Sequence, residues 1–136
     1  MTRIIAGGAG SIPLEVPDAG TRPTSERVRE SLIGALESAG AIAGSAVLDL
    51  YAGSGALGLE CLSRGATSAD LVEKAPKAAA VATRNARRVA KAMDGVMALV
   101  HRSSSDAFLR GTSQRFDLVF LDPPYDLPDA ELTETL

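Results

Sequence analysis

Four consecutive residues, Asp122-Pro123-Pro124-Tyr125, are the part of this chain best equipped for chemistry. They follow the apolar run Phe116-Asp117-Leu118-Val119-Phe120-Leu121, which reads as a buried strand. The prolines cannot extend a central strand, because they have no N–H to give its ladder. They stiffen the exit loop and leave the Pro123 carbonyl free to accept a hydrogen bond. The Asp122 carboxylate is a second acceptor, and the Tyr125 ring offers a flat face for stacking. Two acceptors beside a stacking platform suit a planar exocyclic amine, such as that of a nucleobase.

A second group lies upstream. Gly53-Ser54-Gly55-Ala56-Leu57-Gly58 has the spacing G-x-G-x-x-G, follows a strand-like run and opens a helical one. Glycines let the backbone come close to a ligand, and a helix N-terminus offers unpaired N–H groups. Glu73 closes the next apolar run and is placed to accept hydrogen bonds from ribose hydroxyls. The spacing alone leaves the ligand open, and an NAD-linked oxidoreductase is one reading of it. Asp49, however, lies before the loop, and Tyr51-Ala52 separate it from Gly53. A carboxylate there repels a pyrophosphate and pairs well with an amino-acid ammonium. S-adenosylmethionine carries an ammonium, a sulfonium and a ribose, and no phosphate, so Asp49 and Glu73 favour it over NAD. The NAD reading also leaves Asp122 to Tyr125 without a role. Further on, Asp106-Ala107 follows the third main strand, where an adenine edge would lie. Asp106 suits either an acceptor for the adenine amine or the N-cap of a helix.

The elements that must position these groups alternate. Arg3 to Ala6 and Ile12 to Val16 read as strands of a small hairpin around Gly7-Gly8-Ala9-Gly10, and 17–23 as a linker. Thr24 or Ser25 caps a helix in which Val28, Leu32, Ile33 and Leu36 recur at helical spacing to about Ser38. Strands are expected at 46–51, 69–73, 96–101 and 116–121. Helices are expected from the glycine loop to about Arg64, over 75–93, and briefly at 106–110, with another beginning at Leu127. Strands alternating with helices imply right-handed crossovers and a parallel α/β sheet. The expected division is a hairpin extension over 1–20 and one larger domain over 21–136.

The 136 residues suffice for one core, and 46% apolar with 23% charged residues is ordinary for a soluble domain. A net charge of −3 argues against tight, nonspecific phosphate binding. Cys61 is the only cysteine and His101 the only histidine, so neither an internal disulfide nor an ordinary structural zinc site is expected. Both read as structural. The sequence has no apolar leader or membrane-length run, and a cytoplasmic location is expected. Arg84, Arg87, Arg88 and Lys91 gather on one side of the long helix, read as its solvated face.

In this order the pieces resemble the class I S-adenosylmethionine-dependent methyltransferases, a Rossmann-like fold. Asp49-Leu50-Tyr51-Ala52-Gly53-Ser54-Gly55 is similar to the first motif, and Asp122-Pro123-Pro124-Tyr125 to the fourth motif of the amino-methylating branch. Thr21-Arg22-Pro23-Thr24-Ser25-Glu26-Arg27-Val28-Arg29-Glu30-Ser31-Leu32 resembles the N-terminal signature of the RsmD-type enzymes, which methylate the exocyclic N2 of one guanine in 16S ribosomal RNA. Arg3 to Gly7 and Ala56 to Glu60 fit that family too. The resemblance implies a cofactor site made by Arg22, Thr24, Asp49, Tyr51, Ala52, Gly53, Ser54, Gly55, Glu73, Lys74, Asp106 and Ala107. It implies catalytic roles for Asp122, Pro123, Pro124 and Tyr125, no metal, and 16S rRNA or the small ribosomal subunit as substrate partner. Two alternatives stand beside it: a DNA amino-methyltransferase acting on adenine or cytosine, and a truncated module that binds cofactor without turnover.

The chain departs from the family pattern twice. The hairpin stretch Gly8-Ala9-Gly10-Ser11-Ile12 is uncharged where relatives carry Lys and Arg. The chain also stops 11 residues after Tyr125, where the family's seven-stranded sheet has three more strands. The expectation is a truncated product or a fragment; if the chain is complete, its fourth strand becomes a sheet edge, and it is expected either to self-associate or to be marginally stable.

Overall fold

The computed structural model describes residues 2–17 and 25–122. Two short strands, β1 (Thr2–Arg3) and β2 (Pro13–Leu14), pair antiparallel. They are shorter than the expected hairpin arms, for a local reason. The Ile5 and Ala6 amides leave the ladder and donate to the Glu60 carboxylate, at 2.9 and 3.1 Å.

Helix α1 (Glu26–Ser38) begins at Ser25, whose hydroxyl accepts from the Val28 N–H at 3.1 Å. Its helical spacing is as expected, and Ile33 and Leu36 reach the core, but the rest of its buried face is not. Val28 is 57% and Leu32 41% exposed, while Ile33 and the charged Arg29 are fully buried. The reason is electrostatic: Arg29 turns inward to Glu60, with Nε 3.4 Å from a carboxylate oxygen, and donates to the Arg3 carbonyl.

The main sheet contains β3 (Ala46–Leu50), β4 (Ser68–Val72), β5 (Met97–His101) and β6 (Leu118–Leu121), all parallel, in the order β5-β4-β3-β6. The helices between them are α2 (Ala56–Ser63), α3 (Pro76–Ala92) and α4 (Ser105–Gly111). Proline at the start of α3 fits the first turn, where its missing N–H has no partner to lose.

Residue parity divides the sheet into two faces. Val47, Ala69 and Leu71 join Leu59, Leu62, Ala82 and Val89 of α2 and α3 in the larger core cluster. Ile4, Ala9 and Leu14 of the N-terminal segment are buried in the same cluster. Leu48, Leu50 and Val72 face the other way, against Tyr51, Phe108 and Phe116, so α4 covers part of the second face. Helices therefore lie on both faces of a parallel sheet, as expected. Among the described residues β6 is an edge of that sheet, and Val119 there is 50% exposed.

Below the sheet a buried ionic knot joins three segments. The Glu60 side chain is wholly buried, and Arg64 Nε lies 2.9 Å from it, opposite Arg29. Ser63 Oγ accepts from the Ala9 N–H at 2.9 Å and donates to the Ala6 carbonyl at 2.6 Å. Backbone bonds thus tie the uncharged, glycine-rich stretch of the N-terminal segment to α2, beside the buried side chains of Ile4, Ala9 and Leu14.

Candidate functional site

The site forms at the carboxyl ends of β3, β4 and β6, where parallel strands hand over to loops. In open α/β sheets, ligands bind in this position. Tyr51 leaves β3 with φ of 58°, a left-handed conformation uncommon for a residue with a side chain. Such backbone costs about 1–3 kcal/mol and clusters at functional sites. Ala52 N–H then donates to the Val72 carbonyl at 2.9 Å, which ties the loop's first residue to the neighbouring strand.

The glycine positions divide into two kinds. Gly53 has φ of 58°, and among the described residues a Cβ built on it would meet nothing within 4 Å, so this side of the loop is open to them. Gly58 is the opposite case. A Cβ there would sit 2.5 Å from Leu71 Cδ2 and 3.3 Å from Asp49 Oδ2, so helix and sheet touch through the missing side chain.

Two carboxylates frame the loop. Glu73 Oε1 accepts from the Gly53 N–H at 2.9 Å and Oε2 from the Ala75 N–H at 2.8 Å. The Glu73 backbone is itself fixed, with its N–H on the His101 carbonyl and its carbonyl accepting from Ser103 N–H. Asp49 is 2% exposed, and its Oδ2 accepts from the Gly58 N–H at 3.0 Å. Burial pushes the Asp49 carboxyl up to about 7; the Gly58 hydrogen bond opposes this, and the Asp122 and Glu73 charges reinforce it. Asp122 follows β6 directly, and Leu121 pairs with Leu50, so Asp122 stands level with the beginning of the glycine loop.

The structure thus brings Asp49, Tyr51, Ala52, Gly53, Ser54, Gly55, Glu73 and Asp122 to one end of the sheet, with Lys74 exposed beside Glu73. Arg22, Thr24, Pro123, Pro124 and Tyr125 lie outside the described residues. The capping alternative for Asp106 is corrected: Ser104 is the N-cap of α4, its hydroxyl accepting from the Ala107 N–H at 3.1 Å. Asp106 sits in the first turn and pairs with Arg110 at 3.2 Å. Serine wins because the helix starts one residue earlier than the apolar pattern suggests.

Other readings meet their geometry. Burial pushes the Cys61 thiol up to about 12, so it is no nucleophile. His101 Nε2 lies 2.7 Å from Asp70 and its ring packs on Phe108, a structural contact. Of the clustered basic residues Arg84, Arg87, Arg88 and Lys91 on α3, Arg84 and Arg88 pair with Glu15, at 2.9 and 3.3 Å. Among the described residues, no helix is long and apolar enough to cross a membrane.

Sequence reasoning missed Asn85. It is fully buried on α3 and hydrogen-bonded to the glycine loop through the Ser54 carbonyl at 2.9 Å. A signal was available: Asn85 occupies the apolar face of a helix otherwise lined there by Ala78, Ala82, Ala86 and Val89.

Known proteins share this sequence and this fold. Ribosomal RNA small subunit methyltransferase D of Escherichia coli K12 is 41% identical over 124 residues, covering 90% of this chain and 60% of that protein. The protein of the same name from Haemophilus influenzae is 37% identical over 131 residues, covering 95% of this chain and 66% of that protein. The chain therefore spans about two thirds or less of these relatives. A solved structure, a hypothetical protein of Thermus thermophilus, is 36% identical with a TM-score of 0.83, covering 98% of this chain and 76% of that one. The sequence pattern described as Conserved hypothetical protein 95 runs through residues 2–136, and the chain belongs to this family, the RsmD family of ribosomal RNA methyltransferases.

Proposed function

We propose that this chain transfers a methyl group from S-adenosylmethionine to the exocyclic N2 amine of a guanine in 16S ribosomal RNA. One observation carries the choice of cofactor. The Gly53 N–H, which a dinucleotide's pyrophosphate would need, already donates to the Glu73 carboxylate. An anion brought there meets a carboxylate instead of a free amide, with the buried Asp49 close behind. A cationic, phosphate-free ligand suits that field.

The donor set fits S-adenosylmethionine. Each Glu73 oxygen takes one backbone N–H and keeps lone pairs for ribose hydroxyls. Asp49 and the open side of Gly53 suit the amino-acid end, while Ala107 and Asp106 remain candidates for the adenine side. The bound cofactor supplies an electrophilic methyl group on sulfur. The protein's own part is positioning. Asp122 and the Pro123 carbonyl accept from the guanine amine and turn its lone pair out of conjugation, and Tyr125 stacks on the base. The guanine must leave its helix stack to reach them. Alignment of this kind can supply roughly 7–11 kcal/mol. Arg22 and Thr24 complete the cofactor pocket in this reading, and the protein works in the cytoplasm, where ribosomes are assembled.

Calorimetry with S-adenosylmethionine, S-adenosylhomocysteine and NAD tests the cofactor. Micromolar binding of the first two and none of NAD is expected; the reverse refutes the reading. Methyl transfer to 30S subunits, naked 16S rRNA and DNA then tests the substrate, with labelled N2-methylguanine in rRNA the expected product. A second reading is binding without turnover, and binding with no product on any substrate would select it.

A further inference from the structure

The glycine loop and the N-terminal segment meet through one side chain. Asn85 Nδ2 donates to the Ser54 carbonyl and to the Glu15 carbonyl, each at 2.9 Å, and Oδ1 accepts from the Glu15 N–H at 2.9 Å. The residue is fully buried. A carboxamide can give two N–H bonds and take one here without any charge, which neither a carboxylate nor an aliphatic side chain can do. A polar group at such a site is tolerated only when its partners are all present.

Each bond fixes a peptide plane. Because the Ser54–Gly55 peptide is planar and trans, its carbonyl aimed at Asn85 sets the Gly55 N–H the other way, where it donates to the Ala52 carbonyl at 2.8 Å. On the other side, the two Glu15 bonds lock that residue's backbone to α3. The Glu15 side chain adds only exposed ion pairs to Arg84 and Arg88, and such pairs contribute little. The buried connection between loop and segment is therefore Asn85.

We propose that Asn85 is a positioning residue that couples the cofactor loop to the N-terminal segment, so that a ligand ordering the Ser54–Gly55 peptide also orders the Glu15 backbone. The proposal rests on the reading of the loop as an S-adenosylmethionine site.

Residue-resolved hydrogen exchange on the 136-residue chain tests it, with and without S-adenosylhomocysteine at about 100 times its Kd. Saturation of that kind permits up to about 100-fold protection. In the wild type, the Gly53, Gly55 and Glu15 amides should all slow by about tenfold or more. In Asn85→Ala the ligand should still protect the loop and no longer protect Glu15. Equal protection of Glu15 in both proteins, or protection of the loop without Glu15 in the wild type, overturns the coupling. Should the ligand protect no loop amide even in the wild type, the cofactor reading fails, and the ligand-free proteins decide the coupling. Similar acceleration at Glu15 and Gly55 in Asn85→Ala supports it; acceleration at Glu15 alone overturns it. If Asn85→Ala does not fold, Asn85→Asp serves the same comparison, because it keeps an acceptor for Glu15 N–H and sets an oxygen against the Ser54 carbonyl.

Discussion

Asp49→Asn should make the ligand-free chain more stable and the ligand-bound chain weaker, and the pH dependence gives the size. Burial lifts the Asp49 carboxyl from its ordinary 3.8 to about 7. At about 1.4 kcal/mol per pK unit, this rise is worth roughly 4 kcal/mol against the folded state once the group is ionised. Between those two values the folded chain keeps a proton that the unfolded chain has lost. Stability through this group therefore falls as pH rises from about 4 and levels off above about 7. By pH 5 about 1.6 kcal/mol of the effect is already present, leaving about 2.7 kcal/mol to develop by pH 8. The asparagine carries no charge and still offers an oxygen to the Gly58 N–H. Urea melts of both proteins at pH 5 and pH 8 give a double difference in which the other titrating groups cancel. The variant's advantage should grow by about 2–3 kcal/mol between the two. A double difference below about 0.5 kcal/mol, or a variant less stable than wild type at pH 8, would refute the account of Asp49. The same ionisation governs binding of an ammonium. Wild-type affinity for S-adenosylhomocysteine should tighten about tenfold from pH 6 to pH 8, and that of Asp49→Asn should not.

Three further substitutions probe the remaining parts. Asp122→Ala should lower methyl transfer by about 100-fold or more while leaving cofactor Kd within about threefold, as removal of a positioning acceptor for the target amine requires; an unchanged rate removes Asp122 from the reaction. Gly58→Ala drives a methyl group to 2.5 Å from Leu71 Cδ2 and should cost about 1–3 kcal/mol in a thermal or urea melt; a wild-type melt would show that the helix start is looser than this contact implies. Glu60→Gln leaves Arg29 and Arg64 buried without their shared counter-ion and should cost about 3–5 kcal/mol, with faster exchange at the Ile5 and Ala6 amides; a loss under about 1 kcal/mol refutes the hub role of Glu60.

The parts of this molecule legible in the sequence are those whose geometry is set by near neighbours. The glycine spacing, the strand before it and the acid closing the next strand fall within one βαβ unit, so the loop and Glu73 could be placed by counting. In the structure, parity sets Asp49 on the opposite sheet face from Leu48 and Leu50, under α2. Periodicity found α1 and placed Ile33 and Leu36 on its core side, but it could not register an arginine drawn inward by a carboxylate 31 positions away, Arg29 to Glu60.

What counting could not reach are the long-range polar contacts, and several of them share one target. Glu60 and Ser63 hold residues 5–9 across 54 to 57 positions, and Asn85 holds Glu15 across 70. In each case a side chain on a core helix reads the backbone of the N-terminal segment, not its side chains. That explains how a stretch as bland as Gly7-Gly8-Ala9-Gly10 can have a defined path: the information for it is stored on α2 and α3. A polar residue on the apolar face of a helix is therefore the signal to look for. Glu60 stands among Leu57, Leu59 and Leu62, and Asn85 among Ala82, Ala86 and Val89. Each would be a costly burial on its own, and each is stable because a distant backbone supplies its partners. The cofactor loop is tied into the same arrangement through Asn85, so the segment and the loop have a common anchor on α3. A substitution in the helix that spares every residue at the mouth of the site should consequently still alter how the site closes on its ligand.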